Sequence, residues 1–113
     1  MFEPLLLLGE VYSMIFVFWN CRGADNLDFK ITMKDLYRDY KPNVITLLET
    51  KIHFKSMGNY FNQFGLTENI HINPQGRVGG IWILWNLKAI NLKSYHVSQK
   101  CIHVIVTRNR QYE

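Results

Sequence analysis

Residues 14–20 read MIFVFWN, an uninterrupted apolar run that ends at an amide. The run has the length of a strand and is rich in aromatic and β-branched residues, which predicts a buried strand. Residues 43–50, NVITLLET, form a second run of the same character. Between them, residues 25–42 (DNLDFKITMKDLYRDYKP) predict a helix. The order strand, helix, strand predicts a βαβ unit with a parallel pair of strands.

The predicted helix has recognisable ends. Asp25 or Asn26 can cap its start, and Pro42 lies beyond its end. Four of its apolar residues recur at roughly helical spacing: Leu27, Ile31, Leu36 and Tyr40.

The rest of the chain predicts a weaker helix and four more strands. His53–Gly65 favours a helix that has Gly65 as a C-cap. The strands are predicted at residues 68–74, 80–86, 89–97 and 101–107, and the QGRVGG segment at residues 75–80 is predicted to be a turn. Because the last three strands have short connections, we expect them to be antiparallel neighbours. The chain therefore predicts an α/β fold with mixed strand pairing.

The last strand has a regular alternation. One set of residues suits a core: Ile102, Val104 and Val106. The other set is expected on a partly covered side: Cys101, His103, Ile105 and Thr107. His96 and His103 are both predicted to be surface or cross-strand residues.

Composition bounds the class of protein. The chain has 113 residues, enough for one small domain, and it is 48% hydrophobic and 19% charged, as globular domains are. Its net charge of +4 favours approach to polyanions, although the basic residues are scattered. The only two cysteines are Cys21 and Cys101, and in a chain without a clear secretory signal we expect free thiols in a reducing, intracellular compartment. They form no C-x-x-C pair, so a structural zinc site is not expected. Cys101 and His103 alone do not fill a tetrahedral zinc site.

The two ends of the chain have distinct composition. Residues 1–13, MFEPLLLLGEVYS, contain four consecutive leucines without a basic segment before them. The run is too short to span a membrane and makes a poor signal peptide. We interpret residues 1–13 as an N-terminal extension and residues 14–113 as the domain. The chain ends on the polar RNRQYE directly after a strong strand, so the domain is expected to be truncated.

Two polar side chains follow neighbouring strands of the predicted parallel pair. Asn20 ends the first strand and Glu49 lies near the end of the second. Because the carboxyl ends of parallel strands meet at one edge of a sheet, these side chains are expected to emerge side by side. Amide and carboxylate oxygens are ligands that Mg²⁺ accepts. The plainer interpretation is a turn residue and a solvated charge.

Three segments carry a resemblance to a known family. WNCRG (residues 19–23), KPNVITLLETK (residues 41–51) and GRVGGIWILWN (residues 76–86) resemble, in that order, the N-terminal part of the endonuclease/exonuclease/phosphatase family. They look most like the apurinic-type endonuclease domains of plant LINE-like, non-LTR retrotransposons. The resemblance covers residues 14–107 and less than half of the family's domain.

This resemblance implies a fold and an activity. The fold would be part of a four-layer α/β sandwich, with two mixed sheets and helices outside them. The family hydrolyses phosphodiester or phosphomonoester bonds with Mg²⁺, or Mn²⁺ in its place. By resemblance, Asn20 would be a catalytic residue that orients the phosphate and the metal shell, and Glu49 would be a direct metal ligand. Trp82 and Trp85, in the segment that matches a core strand, would be packing residues. Apart from the resemblance, Arg22 follows the Asn20 turn and is a candidate contact to a phosphate, the plainer interpretation being an exposed turn arginine.

The same resemblance implies groups that this sequence lacks. The family's general base is a His paired with an Asp, and an Asp-x-Asn pair supplies further site groups. The chain has four histidines, none after an Asp, and four aspartates, none of which begins Asp-x-Asn. We therefore expect an endonuclease fragment with weak or no activity alone. DNA would be its partner, without a membrane or a small-molecule cofactor, and a nuclear location would follow if the ancestral role is retained.

Two other functions remain open at this point. One is a non-catalytic fragment that binds nucleic acid or a protein. The other is a phosphatase-type member of the same family, acting on a small phosphoester. The GRVGG segment does not favour a nucleotide loop, because a strand rather than a helix follows the glycines.

Overall fold

The predicted parallel pair of strands forms the centre of the fold. The computed structural model describes residues 6–11, 14–98 and 101–108, with side chains from residue 14 onward. Strand β1 spans Leu6–Val11, β2 Met14–Asn20 and β3 Val44–Leu48. Strands β2 and β3 are parallel, with a register that runs from Phe16 opposite Val44 to Asn20 opposite Leu48. The βαβ prediction is confirmed.

Helix α1 spans Leu27–Tyr40 and has the expected ends. The Asn26 side chain accepts a hydrogen bond from the Asp28 N–H at 3.0 Å, and so satisfies one donor of the first turn. At the other end, Lys41 has a left-handed backbone and donates its N–H to the Tyr37 carbonyl at 2.9 Å. This bond closes the last turn just before Pro42.

The buried side of α1 differs from the spacing noted in the sequence. Phe29, Met33 and Leu36 are buried, whereas Leu27 is 90% exposed and Ile31 is 62% exposed. Positions 29, 33 and 36 follow the i, i+4, i+7 pattern and form one stripe. Leu36 belongs to this stripe, whereas Leu27 and Ile31 lie on the opposite side of the helix, so the spacing noted in the sequence joined residues from two sides.

The second predicted helix is two short 3-10 helices. They span Phe54–Met57 and Tyr60–Phe64, and Gly58 lies between them with a positive φ of 58°. The prediction of one helix over residues 53–65 is wrong because this glycine turns the chain. Gly65 adopts the left-handed conformation after the second helix, as predicted.

Two further strands complete the five-stranded sheet, whose pairing the sequence predicted only in part. Strand β4 spans Glu68–Ile72 and β5 spans Ile81–Trp85, and residues 75–80 form the turn between them. Strand β5 lies between β3 and β4 and is antiparallel to both. The five-stranded sheet therefore has the order β1-β2-β3-β5-β4.

Strands β6, Ile90–Val97, and β7, Ile102–Arg108, form a separate two-stranded ribbon. The prediction that the last three strands are consecutive neighbours is wrong for β5 and β6. Both edges of β5 already pair with β3 and β4, so the chain after Asn86 crosses onto a face of the sheet.

The strands of the sheet bury opposite side chains on its two faces. One face packs against α1 and the 3-10 helices: Val17, Trp19, Ile45, Leu47, Trp82 and Leu84. The other packs against the β6–β7 ribbon: Met14, Val44, Ile83 and Trp85. Ile102, Val104 and Val106 contact this second core, and His103, Ile105 and Thr107 are exposed, which confirms the alternation predicted within β7. Cys101 was predicted on the side of His103, but it precedes β7 and lines the inner side with Ile102. The fold is mixed α/β in three layers.

The edge strand β1 comes from the segment interpreted as an extension. Residues 6–11 pair antiparallel with β2, with Leu6 opposite Trp19 and Val11 opposite Met14. That residues 14–113 form the domain without this strand stays a prediction.

Candidate functional site

The carboxyl ends of β2 and β3 meet as the parallel prediction requires. Asn20 is opposite Leu48, and the two chains stay hydrogen-bonded beyond the strands. The N–H of Gly23 donates to the Glu49 carbonyl at 2.8 Å, and that of Ala24 donates to the Thr50 carbonyl at 2.9 Å. These bonds hold the loop after β2 against the loop after β3. We call this end of the pair the carboxyl edge, residues 20–25 and 48–51.

The carboxyl edge concentrates unusual backbone conformations. Arg22, Glu49 and Lys51 have φ values of 52°, 54° and 63°. In the described part of the chain, the only other non-glycine residue with a positive φ is Lys41, which ends α1. Residues with a side chain adopt this region at a cost of roughly 1–3 kcal/mol, and such strain gathers at functional sites.

Asn20 presents an unsatisfied acceptor at this edge. Its side chain is half-buried, and its Oδ1 atom is buried without a hydrogen-bond donor among the described residues. Alternation along β2 puts it on the same face as Phe16 and Phe18, the side on which the ribbon packs. A buried amide oxygen without a partner is costly unless a ligand or water satisfies it.

Glu49 is also half-buried and lies one residue beyond the position opposite Asn20. Its negative charge acts on the Cys21 thiol, in the core on the helical side of the sheet. The structure thus brings the Asn20 and Glu49 backbones together, without a hydrogen bond between their side chains in the described region. Convergence of the two on one ion stays a prediction.

Cys21 is a structural thiol. It is buried, and its Sγ donates to the Leu48 carbonyl at 3.4 Å. Burial raises the pKa of Cys21 to about 11, and the charges of Glu49 and Asp25 also raise it. Because the thiolate is the reactive form, Cys21 is a poor nucleophile at neutral pH.

We expect the two free thiols to react very differently with a thiol reagent such as DTNB at pH 8. Cys101 is half-buried and should react within minutes, whereas Cys21 should react only after unfolding in guanidinium. The measurement is the number of thiols titrated before and after denaturation, with Cys101→Ser as the control. Rapid labelling of folded Cys101→Ser would contradict a buried, protonated Cys21.

The turn before β5 closes the carboxyl edge from the other side. Lys51 donates its N–H to the Gly79 carbonyl at 2.9 Å, and Thr50 donates its N–H to the Gly80 carbonyl at 3.4 Å. Thr50 is fully buried, and a Cβ on Gly80 would collide with its Oγ1 atom. The glycines were predicted as a turn, which is confirmed. Their close approach to Thr50 had no signal in the sequence beyond the Gly-Gly pair.

Basic side chains surround this edge. Arg22 is exposed and Lys51 is half-buried, while Arg77 of the turn forms an ion pair with Asp25 at 3.2 Å. Both partners of that pair are well exposed, so it contributes little to stability. Positive charge beside Asn20 and Glu49 suits an anionic group such as a phosphate.

Comparisons with known proteins leave the family open. No protein-family model matches the chain, and the curated proteins and solved structures gave no significant match. Across residues 6–11, 14–98 and 101–108, no cluster of three or more His, Cys, Asp or Glu side chains forms a ready metal site. Among the same residues, no helix has both the length and the hydrophobicity needed to cross a membrane.

Proposed function

We propose that this chain is the N-terminal part of a Mg²⁺-dependent endonuclease domain that cleaves phosphodiesters. Asn20 and Glu49 would form one half of its metal and phosphate site. The observation that carries the proposal is the register of the parallel pair, in which Asn20 lies opposite Leu48 and Glu49 follows immediately. The resemblance of the surrounding segments to retrotransposon endonucleases supports the same assignment.

The donor atoms at the carboxyl edge fit a hard cation. Asn20 offers a buried amide oxygen without a donor in the described region, and Glu49 offers a half-buried carboxylate. Mg²⁺ commonly binds to one or two protein oxygens and keeps several waters, and Mn²⁺ accepts the same ligands. When bound, the cation would neutralise charge on the phosphate and on the leaving oxygen.

The layers support a partial four-layer sandwich. A helical layer covers one face of the five-stranded sheet, and the β6–β7 ribbon covers part of the other. An apolar cleft of about 310 Å³ lies between sheet and ribbon, lined by Phe18, Thr46 and Leu48 on one side and by Leu92 and Val104 on the other. In the proposed architecture the ribbon belongs to a second sheet, whose further strands would fill this cleft.

DNA is the proposed substrate, and Arg22 is the proposed contact to its backbone. Arg22 is exposed on the loop that follows Asn20, where its backbone is left-handed with a φ of 52°. The net charge of +4 adds a general attraction to a polyanion.

The chain alone lacks the groups that would activate water. The sequence has neither the Asp–His pair nor the Asp-x-Asn motif of the family. His71 bonds to Asn69 and stacks on Phe54, and His96 and His103 contact each other on the ribbon. Without a positioned base, in-line attack by water loses roughly 10²–10⁴-fold in rate. We therefore propose a binding-competent half site with little or no cleavage by itself.

We expect Mn²⁺ to bind at the carboxyl edge and to depend on Glu49. In NMR spectra of the folded chain, Mn²⁺ should broaden the amide signals of Asn20 and Glu49, and Mg²⁺ should compete with it. Glu49→Ala should abolish the broadening. Glu68→Ala is the matched control, because Glu68 begins β4 opposite Trp85, at the far end of the sheet. Supercoiled plasmid incubated with the chain and Mg²⁺ should show no nicking above the Glu49→Ala background.

Each outcome of this experiment decides one part of the proposal. If folded wild-type chain shows no Mn²⁺ broadening at Asn20 and Glu49, the metal site is wrong. Nicking of the plasmid that requires both Mg²⁺ and Glu49 would support the nuclease assignment. It would contradict the proposal that cleavage needs the absent His and Asp groups. Phosphate release from a small phosphoester without DNA nicking would favour the phosphatase-type alternative.

The second candidate function is a nucleic-acid-binding fragment without catalysis. The observation that favours it is the basic surface beside a site that lacks its general base. Salt-sensitive binding of DNA by wild type and Glu49→Ala alike, without a metal requirement, would support this alternative.

A further inference from the structure

The β6–β7 ribbon contains an irregularity that determines which side chains share its outer face. The register pairs Lys93 with Ile105 and Ser94 with Val104, and then shifts to pair His96 with His103. Tyr95 is the extra residue of this β-bulge. Bulges of this kind re-aim the side chains that follow them.

The bulge moves His96 from the inner to the outer face. Leu92 of β6 points into the core between ribbon and sheet, and strict alternation would bring residues 94 and 96 to the same side. The extra residue reverses this alternation, so His96 lies opposite His103 on the exposed face. Tyr95 also contacts His103, with ring centroids 5.5 Å apart.

The spacing of the two histidines fits a shared metal ion. Their ring centroids are 5.2 Å apart, with ring planes inclined by 53°. Two imidazoles that bind one tetrahedral Zn²⁺ through nitrogens at ~2.0–2.1 Å have ring centroids about 5 Å apart. The ring spacing therefore matches that of two imidazoles on one ion, and the exposure of both side chains lets an ion enter from solvent.

We propose that His96 and His103 form a site for a borderline transition-metal cation, Zn²⁺, Ni²⁺ or Cu²⁺, on the outer face of the ribbon. Imidazole nitrogens prefer these cations, whereas Mg²⁺ prefers the oxygen ligands of the carboxyl edge. Only two protein ligands come from the described residues, so water or an external ligand occupies the remaining positions. The site is open rather than structural.

The test is isothermal titration of the full chain with Zn²⁺ and with Ni²⁺ in a non-chelating buffer. We expect one ion per chain, and an affinity weakened by at least about tenfold (~1.4 kcal/mol) in His96→Ala and in His103→Ala. His71→Ala is the matched control, because this exposed imidazole on β4 lacks a histidine partner within the described residues. Glu49→Ala should also bind Zn²⁺ normally, which separates this site from the carboxyl edge.

A deletion of Tyr95 tests whether the histidine pair is sufficient without the bulge. His96 would then follow Ser94 directly and keep the outward position opposite His103, so the affinity for Zn²⁺ should stay close to that of wild type. A fall as large as in His96→Ala, in a folded variant, would contradict the proposal. Circular dichroism shows whether the deletion variant folds. If it does not, the Zn²⁺ affinities of His96→Ala and His103→Ala test the proposal.

Three other results would overturn the proposal. The first is a folded wild-type chain that binds neither Zn²⁺ nor Ni²⁺. The second is binding that survives the loss of either histidine. The third is binding that Cys101→Ser abolishes, since the thiol of Cys101 would then be the principal ligand.

Discussion

Gly80→Ala should destabilise the protein by about 3 kcal/mol, one of the largest effects of any single methyl group in the chain. Gly80 has a φ of 98°, a conformation that alanine adopts only with strain. The added Cβ would also meet the Oγ1 atom of Thr50 well inside van der Waals contact, and would lie 3.3 Å from the Lys51 nitrogen. Thr50 is fully buried and β-branched, so its side chain has little freedom to move away.

The same turn offers a matched control. Gly76 also has a positive φ, 63°, but a Cβ there would meet no atom within 4 Å. Gly76→Ala should therefore cost only the backbone strain, about 1 kcal/mol. Urea denaturation of both variants gives the comparison through the midpoint at a constant m-value.

A double mutant separates the collision from the strain. Thr50→Ala removes the Oγ1 atom, so Gly80→Ala should cost less in that background than in wild type. A coupling free energy of about 1–2 kcal/mol in this direction is expected for side chains in contact. Additive effects, or equal effects of Gly76→Ala and Gly80→Ala, would contradict the close approach of Gly80 to Thr50.

The part of the fold that sequence predicted well is the part that depends on local pattern. The apolar runs at residues 14–20 and 43–50 indicate buried strands, and a capped helix between them leaves a parallel crossover as the expected connection. The antiparallel pairing of β6 with β7 was also predicted correctly, whereas the expected pairing of β5 with β6 was wrong, because it depends on which strand edges are already used. The pattern of β5 does not reveal that β3 and β4 occupy both of its edges.

The candidate site also has a part that the sequence could predict and a part that it could not. The adjacency of Asn20 and the residues beside Glu49 follows from the parallel register, so sequence could predict it. The left-handed backbones of Arg22, Glu49 and Lys51 could not be predicted, because none of these residue types favours that conformation. His96 and His103 are surface, cross-strand residues as predicted, but their pairing with each other required the structure, because alternation from Leu92 would put His96 on the inner face.

Helix α1 has a buried stripe and an exposed side, and alanine substitutions on the two should change the free energy of unfolding by very different amounts. Phe29→Ala should destabilise the protein by about 4 kcal/mol, the range typical of a buried aromatic side chain in a packed core. Phe29 is 2% exposed and stacks on Trp19 with ring centroids 5.1 Å apart. It also meets the edge of Phe61 at 6.4 Å, so its removal loosens the contact between α1, the sheet and a 3-10 helix.

Leu27→Ala is the matched control on the same helix. Leu27 is 90% exposed, and alanine is a strong helix former, so the free energy of unfolding should change by less than about 0.5 kcal/mol. Both variants are compared by urea denaturation followed by circular dichroism. If Leu27→Ala cost as much as Phe29→Ala, the helix would present the side that carries Leu27 to the sheet. The core around Trp19 would then have to be built differently.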